Sequence, residues 1–231
     1  MLAPVVRVFN TSGTVLLDHT YKNLALRSKA VVATDTVSDG GSFRTLTISD
    51  CDQPMVAIAC TSHFATVTKE VVSGSDLTIT IACNGPVGTS VTLYYFDVPL
   101  PNPTPSGIVF RMRTDAGELT FDADYEYMDV VDFLLDGESA DGGEYAEDRD
   151  YAVVVCRPGI TVHDMPLTGT GSGGQPDVAV VIGTYGFRSI AGGVEMQEFL
   201  TSGYIYYAPN VPIISPFNAP GDAMILDVTH F

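Results

Sequence analysis

Apolar residues near the start of the chain fall two apart. Val6 and Val8, Val15 and Leu17, and Leu24 and Leu26 form such pairs, and a polar stretch bearing Gly13 separates the first pair from the second. Successive side chains of an extended backbone point to opposite faces, so this spacing predicts half-buried strands joined by a turn. The pattern returns 104 residues later in Phe110, Met112, Leu119, Phe121, Met128 and Val130. Four further positions return with it and no gap is needed: Arg7 with Arg111, Gly13 with Gly117, Asp18 with Asp122, and Tyr21 with Tyr125. Each copy reads as strand, turn, strand, with the glycine supplying the positive φ that a tight turn requires. The agreement predicts an internal duplication.

Further strands are expected at 43–48, 55–60, 64–71, 77–82 and 90–97 in the first half, and at 126–134, 151–156, 178–184, 203–207 and 223–229 in the second. They are rich in Val, Thr, Ile, Phe and Tyr and are separated by turn residues. Three of them repeat in order at varying shifts. MVAIAC (55–60) resembles YAVVVC (151–156), LTITIAC (77–83) resembles VAVVIGT (178–184), and YYFDVP (94–99) resembles MILDVT (224–229). Only GGVEMQEFL (192–200), with Val194, Met196 and Phe199 apolar, predicts a short helix. In VPLPNPTPSG, Pro99, Pro101, Pro103 and Pro105 alternate. Proline lacks the donor that a sheet interior needs, so 99–107 reads as a semi-rigid link. The expected fold is all-β: two tandem β-sandwich domains, Ig-like or barrel-like, at 1–98 and 108–231.

With 231 residues and 45% hydrophobic content the chain has ample material for a core. No stretch of eighteen apolar residues occurs, and MLAPVVRVFN lacks the basic start and long apolar segment of an export signal. Cys51, Cys60, Cys83 and Cys156 form no CxxC pair, and three of them end apolar runs, so free thiols are expected rather than zinc ligands or disulfides. The net charge of −17 is uneven, with eight acids against six bases in 1–100 but twenty against five in 101–231. Such a surface repels nucleic acid and anionic membranes.

Chemical motifs are sparse. His19, His63, His163 and His230 are scattered, no GxSxG or P-loop occurs, and the glycine-rich GTGSGGQP (169–176) precedes no helix pattern. Fourteen acids lie between Asp115 and Asp150. The segment reads as a solvated stretch that rejects unwanted edge pairing. A calcium site and a glycosidase carboxylate pair are the alternatives, although DGESADGGE (136–144) lacks the alternating ligand order of the familiar calcium loop. No other cofactor is expected. SGYIYYAPNVPIISPFNAP (202–220) is aromatic and proline-rich, and it reads as an irregular arm. Its Tyr204, Tyr206, Tyr207, Ile213, Ile214 and Phe217 are the candidate interaction residues, for docking on a neighbouring subunit or packing on their own domain.

The stretch RVFNTSGTVLLDHTYKNLALRSK (7–29) resembles the N-terminal opening of a poorly characterised family of tailed-bacteriophage proteins associated with tail, baseplate or fibre modules. Phe9, Gly13, Asp18, Tyr21, Asn23 and Leu24 carry the likeness; the second copy keeps Gly117, Asp122 and Tyr125 but has Tyr127 and Met128 in place of Asn and Leu. The resemblance implies a non-enzymatic structural virion protein of the tail tip, baseplate or fibre attachment. Such a protein is made in the bacterial cytoplasm, binds other virion proteins and forms a homo-oligomer in a symmetric assembly. A host receptor- or glycan-binding tail module is the nearest alternative, followed by a capsid decoration protein.

Overall fold

The computed structural model describes residues 22–100, 110–135, 145–170, 176–206, 217–219 and 221–231, with strand segments at 7–9 and 15–18; side chains are not described for 7–9, 15–18, 164–170, 176–179, 204–206 and 217. Eighteen strands and no helix occur among the described residues. The first half contains β1 (Arg7–Phe9), β2 (Val15–Asp18), β3 (Ala25–Ala33), β4 (Thr36–Ser38), β5 (Gly41–Ile48), β6 (Met55–Ala59), β7 (Ala65–Ser73), β8 (Asp76–Cys83) and β9 (Ser90–Asp97). The second half contains β10 (Arg111–Arg113), β11 (Leu119–Asp122), β12 (Asp129–Leu134), β13 (Tyr151–Arg157), β14 (Ile160–Thr170), β15 (Pro176–Ile190), β16 (Gly193–Tyr206), β17 (Phe217–Ala219) and β18 (Asp222–Asp227).

The all-β sandwich expected from the strand pattern forms, and its two halves share both large sheets. One sheet has the order β12-β18-β13-β6-β9-β3, the other β17-β14-β15-β7-β8-β5-β4 with β16 along β15. In each, a contiguous block from one half abuts a contiguous block from the other. The seams are antiparallel: Val153 opposite Ile58 joins β13 to β6, and Phe187 opposite Ala65 joins β15 to β7. The core is correspondingly continuous. Val56, Ile58, Leu93 and Tyr95 pack in one cluster with Val153, Ile225, Phe187 and Val194.

The central strands of the six-stranded sheet, β6, β9, β13 and β18, are buried on both faces. Their alternate residues Ala57, Tyr94, Phe96, Ala152, Val154 and Leu226 form a second cluster, with Phe231 packed against it. Burial on both faces explains why MVAIAC, YYF and YAVVV are unbroken apolar runs rather than alternating ones. The edge strands of this sheet meet at their first residues. Met128 N–H donates to Leu24 O (3.1 Å), Leu26 N–H to Glu126 O (2.7 Å), and Ala25 bridges Tyr127. Leu24 thus pairs with its own counterpart at the offset of 104. The outer face of the eight-stranded sheet is solvated where threonine hydroxyls pair across strands at Thr45–Thr80 and Thr47–Thr78 (3.1 Å each), and beside them it carries a small buried cluster of Phe64, Ala82 and Phe199 with Phe43.

The hairpins at the offset of 104 share one register. Arg7 opposes Asp18, Val8 opposes Leu17 and Phe9 opposes Val15; Arg111 opposes Asp122, Met112 opposes Phe121 and Arg113 opposes Leu119, with the register shift in the same place. The repeated residues have structural work in the second copy. Arg111 Nε donates to the fully buried Asp122 at 2.6 Å, and Gly117 sits at φ 84°.

The expected helix at 192–200 is a correction: Gly193–Tyr206 is one long strand. Ala191 and Gly192 (φ 76°) turn the chain between Ile190 and its partner Gly193, and β16 then pairs with β15 over its length. Tertiary burial of Val194 and Phe199 against separate apolar clusters overrides the local helical spacing. The strand continues into the segment read as an irregular arm, of which 202–206 belongs to β16 and 217–219 to β17. Strands β4 and β14 were not expected either.

Candidate functional site

Of the expected interaction residues, Tyr204 and Tyr206 lie on the backbone of β16 and Phe217 on that of β17. Tyr207, Ile213 and Ile214 lie outside the described residues, as do the 99–107 link beyond Leu100 and the acidic stretch 136–144. The described part of the acidic segment is dispersed through β11, β12 and the approach to β13. Asp132 accepts from the Tyr145 hydroxyl (2.6 Å), and Asp122 is committed to Arg111. Among the described residues, no three of His, Cys, Asp and Glu converge closely enough to hold a metal ion.

Two surfaces stand out. The first is the outer edge of β12, the terminal strand of its sheet, with which only β18 pairs among the described strands. Val131 (39% exposed), at a register shift, and Phe133 (53%) stand out along it, beside Asp129 and Asp132. At the other end of the same sheet, β3 exposes Val31. Unpaired edge strands with apolar side chains invite another strand.

The second is a cleft of about 830 Å³ where the halves meet. One wall is first-half sheet: Lys29 from β3, Ala59 and Thr61 from β6 and its exit, and Ser90, Thr92 and Tyr94 from β9. The other wall is second-half chain: residues 147–151 leading into β13, and Ser189, Ile190 and Ala191 at the β15–β16 turn. Tyr145 N–H donates to Gly192 O (3.0 Å), which holds the 147–151 segment against that turn. The cations of the cleft are engaged. Arg149 pairs with Asp227, while Lys29 donates to Phe231 O (2.8 Å) and lies over the Tyr94 ring at 5.1 Å. The carboxylates of Glu147, Asp148 and Asp150 and the hydroxyls of Thr61, Ser90, Thr92, Tyr94 and Ser189 have no side-chain hydrogen bond among the described residues. Burial, and then the charge of Asp150, push the Tyr94 hydroxyl above its ordinary range, so it stays protonated as a donor.

Two further buried carboxylates are satisfied, whereas Arg44 Nε, Thr66 Oγ1, Arg111 Nη2 and Thr120 Oγ1 are buried without a hydrogen-bond partner among the described residues. Asp97 accepts from the N–H groups of Asp52 (2.9 Å), Gln53 (2.7 Å) and Val98 (2.7 Å) and from the Tyr95 hydroxyl. Burial alone raises its pKa, but these hydrogen bonds outweigh it and hold the carboxyl below the usual range. Asp227, its counterpart in the repeated YYFDVP/MILDVT pattern, is held down in the same way by Thr229 and Arg149. All four cysteines are free, and Cys60 and Cys83 are buried. The neighbouring Cys60 thiol, and then burial, push the Cys83 thiol up.

Sequence reasoning missed the cleft. Its residues come from five separate stretches of chain, none of which carries a motif, and only the seam between the halves brings them together. Comparison with protein-family models, curated proteins and solved structures finds no match. The class that the structure itself defines is an all-β protein whose two half-sandwiches are fused edge to edge.

Proposed function

We propose that the chain is a structural, non-enzymatic component of a tailed-phage virion, in the tail tip, baseplate or fibre-attachment region, where it docks other virion proteins. The phage assignment comes from the resemblance at residues 7–29. The structural observation that supports a docking role is the edge of β12, with Val131 and Phe133 exposed beside Asp129 and Asp132. Its occupant is an extended, basic segment of a neighbouring virion protein, added as a further strand. Main-chain hydrogen bonds would supply the affinity and the acidic surface the choice of partner. The matched hairpin registers support an internal duplication, which doubles docking surface within one chain.

Labelled-antibody electron microscopy of intact particles tests the location, with label expected at the tail tip; label on the head would favour decoration instead. Phe133→Lys tests the edge. The purified variant is expected to keep its circular dichroism spectrum and to enter particles poorly, and normal incorporation would rule the edge out as the docking surface.

A further inference from the structure

We propose that the cleft at the seam of the two halves binds a neutral saccharide. It is separate from the β12 edge and adds a ligand-binding activity to the docking role.

Two unpartnered hydroxyls carry the proposal. Tyr94 is 4% exposed and Ser189 is 8% exposed, yet neither hydroxyl has a hydrogen-bond partner among the described residues, and both residues line the cleft. Both oxygens open onto the cleft rather than into the core, so a ligand hydroxyl can reach them there in place of water. The two stand on opposite walls, Tyr94 on β9 of the first half and Ser189 on β15 of the second. A ligand reaching both must therefore span the seam.

The remaining lining specifies the ligand. Glu147, Asp148 and Asp150 offer carboxylate oxygens, which only accept, while Thr61, Ser90 and Thr92 offer hydroxyls that donate or accept. Hydroxyl groups on a saccharide meet both needs at once. Because Lys29 and Arg149 already have partners, the uncommitted charge is negative, and an anionic ligand is repelled. A bare cation fits poorly, since among the described residues no acids converge closely enough to ligate one. The acids are instead spread along a wall, as a ligand with several hydroxyls requires. At about 830 Å³ the cleft falls within the range of small-molecule sites and has room for a short oligosaccharide.

The test is binding of the purified full chain to an oligosaccharide array holding neutral, amino-bearing and sialylated or sulfated members, followed by calorimetric titration of the best neutral binder. Neutral members are expected to bind and anionic ones to be rejected. Tyr94→Phe and Ser189→Ala each remove only a hydroxyl and spare the packing. Each is expected to weaken binding by about fivefold to tenfold, and Asp150→Asn by a similar factor, at unchanged melting temperature. An array with no neutral binder, a preference for anionic members, or affinity indifferent to all three substitutions would overturn the proposal. Particle location by microscopy is read independently, so failure here leaves the virion assignment standing, and failure of that assignment leaves this site standing.

Discussion

Asp97 shows what a single residue contributes. It is fully buried, and three backbone N–H groups and the Tyr95 hydroxyl satisfy its carboxylate. It pins the 52–53 turn to the end of β9. Replacing Asp97 with Asn removes the charge and substitutes a donor for one acceptor. The expected loss is about 2–3 kcal/mol of unfolding free energy by urea titration. The pH dependence follows from the depressed pKa. A carboxyl lowered by folding contributes fully above its unfolded value, near the ordinary 3.8, and loses that contribution as pH falls through the folded value. Between pH 5 and pH 2 the parent is therefore expected to lose more stability than Asp97→Asn, and parallel curves would show that the buried charge contributes nothing.

At the scale of the element, the long β15–β16 hairpin meets the first half where Phe187 opposes Ala65. Gly186 stands at that crossing. A Cβ there would lie 2.4 Å from Cε1 of Phe199 and 3.2 Å from the Ala65 backbone nitrogen. The ring belongs to a small cluster with Phe64 and Ala82, so it has little room to retreat. Gly186→Val is expected to cost about 1–3 kcal/mol, which corresponds to a melting temperature lower by roughly 2–12 °C in a chain of this size. Differential scanning calorimetry reads this directly. The same hairpin shows why element type was only partly legible: GGVEMQEFL carries helix-compatible spacing, and its partner strand decides otherwise.

At the scale of the molecule, the two halves share sheets and core. A cut in the 101–107 segment is therefore expected to leave both fragments associated, eluting together on size exclusion and unfolding in one transition. The half 1–98 expressed alone would expose the β6 and β7 edges and is expected to aggregate. Elution of the nicked chain as two separate folded fragments would show that the seam adds little.

Several features were legible in the sequence because they depend on neighbours along the chain. Alternating or unbroken runs of apolar residues set most strands, their regular punctuation set an all-β class, and recurrence at 104 residues marked two hairpins that share a register. The resemblance at 7–29 also rests on sequence alone. Tertiary structure decided whatever depends on residues distant in the chain. It joined the halves at Ile58–Val153 and Ala65–Phe187, turned 192–200 into strand, left Val131 and Phe133 exposed on β12, and gathered Tyr94, Asp150 and Ser189 around one cleft. The physical reason is range. Backbone alternation and turn chemistry act over a few residues, whereas a seam or a cleft forms where surfaces from separate strands exclude water together, and no local pattern records which surfaces those will be.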